Sequence, residues 1–119
     1  MKSVSPILPE GKNNYLIDID GIICDDVPNE EPDRMITCKP GPDARLIINK
    51  WYDEGHIVAF FTSRTEALRE ITEDWLNKHD FKYHGILMGK PRGGNYLWVD
   101  NHIVKGIRFK STWSELVFD

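Results

Sequence analysis

Cysteine is scarce in this chain: of 119 residues only Cys24 and Cys38 carry a thiol, and they form no C-x-x-C pair. A disulfide framework and a thiolate zinc site therefore both lack their signature, and a reducing, cytoplasmic setting is expected. Long apolar runs are missing too, so no segment has the roughly 20 residues of a membrane helix. Met1 to Asn14 holds Pro6, Pro9, Glu10 and Gly11 with no apolar stretch of signal-peptide type, and is expected to be a short N-terminal arm. Positive charge is not in excess. Fifteen Lys and Arg against 19 Asp and Glu leave a net charge of −4, which argues against a nucleic-acid partner or an anionic membrane surface. A small polar or phosphorylated partner fits this balance better. Repeats and low-complexity stretches are absent.

What is present is a 40% hydrophobic, 11% aromatic composition, enough to fill the core of one domain spanning 1–119. Short apolar runs alternate with amphipathic ones. Tyr15 to Ile19 reads as a buried strand ending in Asp20-Gly21. A polar stretch, Asp25 to Lys39, follows and reads as a solvated flap that includes Asp25 and Asp26. Asp43 is placed to cap a helix whose apolar side is Leu46, Ile47, Ile48, Trp51 and Tyr52 and which stops at Gly55. Ile57 to Phe61 is a second strand. Glu66 to His79 is the clearest helix, with Ala67, Leu68, Ile71, Trp75 and Leu76 on one side. Ile86 to Met88 and Tyr96 to Val99 read as two more strands, and 103–119 as a C-terminal edge segment, either a strand or a short helix. This alternation predicts an α/β fold: a Rossmann-like three-layer sandwich with a mostly parallel central sheet.

Ligands of such folds bind beyond the carboxyl ends of the strands, so the residues there carry the functional argument. They are Asp18 and Asp20, then Thr62, Ser63 and Arg64, then Gly89 and Lys90, and finally Asp100 and Asn101. In extended chain Asp18 and Asp20 point to the same side, about 6.6 Å apart. Asp18 interrupts an apolar run, where a carboxylate needs a cation or hydrogen-bond donors to offset its desolvation.

At these residues the chain resembles the haloacid dehalogenase-like phosphohydrolase superfamily over roughly Tyr15 to Asn101. Asp18-Ile19-Asp20-Gly21 matches the strand-borne D-x-D-G motif, the most specific part. Thr62, in Phe60-Phe61-Thr62-Ser63-Arg64, looks like the Thr or Ser of the second motif, Lys90 like the lysine of the third, and Asp100-Asn101 like the acids of the fourth.

The resemblance implies a phosphoric monoester hydrolase. Asp18 would be the nucleophile that forms an acyl-phosphate, and Asp20 the acid and base that serves the leaving oxygen and then the attacking water. Thr62 and Ser63 would bind phosphate, and Lys90 would balance charge on the phosphate and on Asp18. Mg²⁺ is the implied cofactor, with oxygen ligands from Asp18, the Asp20 carbonyl and Asp100.

The chain departs from the family pattern at Ile22, where Thr is usual, and at Asn101, where a second acid is frequent. The segments between motifs are too short for an inserted domain, so the resemblance is to capless members, whose open site calls for a large substrate, a flap from Cys24 to Lys39, or a homo-oligomer covering it. Small capless members suggest a sugar phosphate as substrate class.

Plainer readings stand beside these. Asp18 and Asp20 can form a turn with a capping acid, Thr62 can cap the following helix, and Lys90 can be a solvated lysine. Arg64 reads as a loop or helix-start residue, with phosphate contact the alternative. His56, His79, His84 and His102 lack metal-ligand spacing, and an EF-hand and a P-loop both fail on the placement of Gly21 and Gly89. Two other functions remain. One is a non-catalytic or regulatory phosphate-binding domain, motivated by Ile22 and Asn101. The other is a mutase or dehalogenase relative, disfavoured by the missing cap and by the presence of Asp20.

Overall fold

Three of the four apolar runs become strands. β1 (Asn14–Ile17), β2 (Ile57–Phe61) and β3 (Gly85–Leu87) pair in parallel in the order β1-β2-β3, with Leu16 opposite Ala59 and Phe61 opposite Leu87. The computed structural model describes residues 4–119, so the first three residues of the expected arm lie outside the described residues, and its last, Asn14, already belongs to β1.

Strand alternation and register put Tyr15, Ile17, Val58, Phe60 and Ile86 on one face of this sheet. All five belong to, or pack against, one buried cluster. The same cluster takes in Ala44 and Ile48 from α2 (Ala44–Asp53) and Trp75 and Leu76 from α3 (Arg69–Lys78). Trp51 of α2 stacks on Tyr15 at 4.0 Å between ring centroids, and Phe81, just past α3, meets Phe60 edge-on. The Asn49 side chain ties the two helical segments together by donating to the Asp80 carbonyl and accepting from the Lys82 N–H, each at 2.8 Å.

Both longer helices thus cover one face. Leu16 and Leu87 on the other face stay 40% and 53% exposed, and no helix covers them among the described residues. A parallel α/β sheet is present, with a helical layer on one side only among the described residues.

Local signals mostly act as read, with corrections. Asp43 occupies the N-cap position of α2 but is left-handed (φ 64°) and its side chain makes no capping bond; the Gly41 carbonyl accepts from Ala44 instead. Gly55, at φ 94°, ends α2 as expected. The clearest predicted helix starts as one 3-10 turn, Glu66–Leu68, before continuing as α3. The flap contains an unforeseen helix, α1 (Pro32–Thr37), with proline in its first turn. Met35 of α1 and Val27 are buried with Leu68 and pack against Ile71, so the flap is seated on α3.

The largest correction concerns the fourth apolar run. Tyr96 to Val99 forms no strand: it has no ladder partner among the described residues, and Leu97 and Val99 are 88% and 96% exposed. Two left-handed glycines, Gly93 and Gly94, turn the chain just before it, and the Tyr96 hydroxyl donates back to the Pro91 carbonyl, closing a local loop. The C-terminal segment is neither a helix nor an edge strand of the main sheet. It is an antiparallel hairpin, β4 (Ile107–Phe109) with β5 (Leu116–Phe118), held to the core by buried Trp113.

Candidate active site

β1 ends at Ile17 and delivers Asp18 and Asp20 on either side of fully buried Ile19. The turn behind them is tight. The Ile19 carbonyl accepts from both Ile22 and Ile23, and Gly21 donates to Cys24 at 3.0 Å. Gly21 sits at φ 81°, a conformation that strains any residue with a Cβ.

Asp18 is the more open acid, its side chain 38% exposed, so the expected burial is only partial. Its Oδ1 accepts from the Ile19 N–H at 2.8 Å and faces the Lys90 ammonium at 3.1 Å. Lys90 is held on both sides of its chemistry. Its backbone N–H donates to the Thr62 carbonyl at 2.8 Å, while its ammonium lies over the rings of Phe61 and Tyr96 at 5.5 and 5.4 Å from their centroids. The Thr62 N–H donates to the Leu87 carbonyl, and the Gly89 N–H to the Arg64 carbonyl. These bonds continue the β2–β3 ladder past both strands, and so bring Lys90 beside Thr62.

Asp20 is the buried acid, its side chain 9% exposed. Arg64, without solvent exposure, grips it with two bonds: Nε to Oδ2 at 3.0 Å and Nη2 to Oδ1 at 2.8 Å. The third guanidinium nitrogen donates to Thr72 Oγ1 at 3.0 Å, and that hydroxyl donates to the Leu68 carbonyl at 2.8 Å. Burial works against the Arg64 charge, but the hydrogen bonds and charge of Asp20 outweigh it and hold the guanidinium above its ordinary value. Removing one partner of such a pair strands a buried charge, at about 3–5 kcal/mol.

Thr62 is fully buried, and its Oγ1 accepts from the Arg64 N–H at 3.1 Å. Ser63 is partly buried, and its carbonyl accepts from Asn29 of the flap at 3.2 Å. Cys24, also buried, lies 3.9 Å from Arg64 Nη2, and burial pushes its thiol well up. Asp25 and Asp26 are exposed, as expected.

Asp100 and Asn101 are not brought to this group. The Asp100 carboxylate accepts from the Trp98 indole at 3.1 Å and from the backbone of Asn101 and His102, which together hold it below the usual carboxylate range. The Asn101 side chain meets its neighbour His102 at 2.9 Å. Placement beside the other acids required Tyr96 to Val99 to be a strand, and it is not one.

The implied Mg²⁺ can be tested against this arrangement. Two of its three expected oxygen sources, Asp18 and Asp20, stand together at the end of β1, and the third lies in its own loop. Among the described residues no three His, Cys, Asp or Glu side chains gather to hold an ion. The histidines are structural where their contacts are defined: His56 and His84 accept the N–H groups of Asn13 and Val58 at the start of the strands.

No protein-family model matches the chain, nor does any curated protein. Two solved structures share its fold. One is described as a Pnkp1/Rnl/Hen1 complex, with 18% identity and a TM-score of 0.59 over 81% of this chain, which spans 36% of the length of that one. The other is a crystal structure of a Vibrio cholerae protein, with 21% identity and a TM-score of 0.55 over 78% of this chain and 82% of that one. At such identities the likeness concerns the α/β fold alone.

Sequence reasoning missed Thr72, Asn29, and the part played by Arg64. Thr72 had a signal: it lies one turn from both Leu68 and Leu76 on the buried side of α3, where a hydroxyl needs a partner. Asn29, in a stretch read only as polar, had none.

Proposed function

We propose that this chain is a Mg²⁺-dependent phosphatase of the haloacid dehalogenase-like type, hydrolysing a phosphate monoester, with a sugar phosphate as the substrate class. One observation carries the reading: two acids two residues apart each meet their own cation, Lys90 for Asp18 and Arg64 for Asp20, at the carboxyl end of a parallel sheet.

The more open acid attacks. An Asp18 carboxylate oxygen bonds to phosphorus as the ester bond breaks, and the leaving alkoxide takes up a proton that Asp20 carries into the step on an oxygen lone pair not used by Arg64. Asp20 then removes a proton from water, the water oxygen attacks phosphorus, and inorganic phosphate departs with Asp18 restored. Lys90 offsets the charge of the phosphoryl group, with the Thr62 hydroxyl and Ser63 as further donors. Bound Mg²⁺ would lower the repulsion between carboxylate and phosphate; Asp18 and the Asp20 carbonyl are the ligands at hand, and Asp100, the third implied ligand, would join them only if its own loop folded back toward β1.

The finer architecture belongs to the same proposal: a capless domain whose open site is covered by the flap or by a second subunit of a homo-oligomer, working in the cytoplasm, with the second helical layer of a three-layer sandwich not among the described residues. No helix among the described residues is long and apolar enough to cross a membrane. A second reading, a non-catalytic phosphate-binding domain, is favoured by one observation, the distance in contacts between Asp100 and the two acids. A screen of phosphate esters with and without Mg²⁺ decides. Metal-dependent phosphate release that is lost in Asp18→Asn supports the phosphatase; phosphate binding without release supports the alternative.

A further inference from the structure

We infer that Arg64 is a positioning residue that fixes the Asp20 carboxylate in the orientation from which it handles protons; this rests on the phosphatase reading above. Its side chain is neither a solvated loop group nor aimed at a phosphate. Both of its Asp20-facing nitrogens are spent on the two oxygens of that acid, and the remaining one on Thr72.

A carboxylate at the end of a short side chain rotates about its last bond unless both oxygens are held. A fork of two parallel N–H donors is the geometry that stops this rotation, and only arginine offers it. The fork is itself anchored. Thr72 is fixed to the Leu68 carbonyl on a buried helix face, and Arg64 has no exposed surface through which to move aside. The backbone of Arg64 has a second effect, because its N–H donates to Thr62 Oγ1 and its carbonyl accepts from Gly89, the residue before Lys90. One residue therefore sets Asp20 through its side chain and braces both Thr62 and the Lys90 loop through its main chain. Substituting the side chain leaves the main-chain bonds available, so the two effects separate.

The role predicts a split between turnover and binding. Asp18, Lys90 and Thr62 are untouched in Arg64→Lys and Arg64→Met, so KM for a phosphate ester stays within about threefold, while kcat falls with the loss of Asp20 orientation. Misplacement by about 1 Å costs on the order of a hundredfold in rate, and that is the fall expected for Arg64→Met. Arg64→Lys keeps the charge but not the fork, and recovers part of the loss. In an Asp20→Asn background, Arg64→Lys lowers kcat little further, because the group it positions is gone.

Circular dichroism and thermal melting of each variant accompany the kinetics; if Arg64→Met does not fold, Arg64→Lys and the double variant carry the test. An active wild type whose Arg64→Lys has unchanged kcat, or loses activity through KM alone, overturns the positioning role and leaves the phosphatase reading intact. A folded wild type that releases no phosphate from any ester, with or without Mg²⁺, overturns that reading and this role with it.

Discussion

The carboxyl end of the sheet and the segment from Gly89 to Gly106 respond to the same demand in opposite ways. Around Asp18, Asp20, Thr62 and Arg64, every described buried polar side-chain atom has a hydrogen-bond partner, and the contacts there join the segments that follow β1, β2 and β3 to the flap and α3. In the second region, beyond Lys90, the side-chain hydrogen bonds are local, Tyr96 to Pro91 and Trp98 to Asp100, the long-range ion pair of Arg92 with Glu30 is solvent-exposed, and the apolar residues Leu97, Val99 and Ile103 lie in water. The difference teaches that strand-forming composition is not enough. A strand needs a neighbour to complete its ladder, and the residues with the strongest apolar signal after Phe61 lack one.

The comparison breaks most sharply on activity. Asp18→Asn should abolish phosphate release, a loss of about a thousandfold or more, because an amide is neither a nucleophile for phosphorus nor a good oxygen ligand for Mg²⁺. A phosphate-release assay retaining activity within about tenfold of wild type would remove Asp18 from the chemistry.

Next in size is stability. Phe60→Ala empties a fully buried position beside Phe81 and Tyr83 and should cost about 3–5 kcal/mol in urea denaturation. Leu97→Ala, on the exposed side of the comparison, should change stability by less than about 0.5 kcal/mol. Equal costs would mean that the 96–99 run is packed after all.

Limited trypsin digestion sharpens the same contrast without mutation. Exposed Arg92 and Lys105 should be cut first, and buried Arg64 only on global unfolding. Mass spectrometry of the first fragments reads the order directly.

The smallest effect is one of pH. Burial, with Lys78 nearby, holds His79 below its ordinary value, so the unfolded chain takes up this proton first as pH falls. The contribution of His79 to stability is therefore complete above the ordinary histidine value and lost as pH drops through the lower folded one. His79→Gln should flatten the slope of melting temperature against pH in that window.

How much of this was legible depended on whether a residue's role is local. Asp18 announces itself because a charge inside Tyr15–Ile19 contradicts its surroundings, with Asp20 directly after that run, and Gly55 ends α2 for reasons contained in its own backbone. Arg64 was visible as a charge, but its partner Asp20 is 44 residues away, and no spacing rule connects them. The flap helix was hidden because one buried side chain, Met35, makes it worth forming. The Tyr96–Val99 run misled for the complementary reason: its period and composition are right, and the edge it would need is supplied by tertiary structure alone.

Trp113 links the C-terminal hairpin to this chemistry. Its indole N–H donates at 2.8 Å to the carbonyl of Ile22, the residue after Gly21 in the turn that presents Asp20, and its ring meets Trp51 edge-on. The chain therefore carries a built-in optical gauge. Indole emission responds to the partner of its N–H, so an adjustment of the Asp20 turn is expected to alter the emission of Trp113, 91 positions beyond Ile22. The same link means that a pull on the β4–β5 hairpin reaches the loop behind the acids.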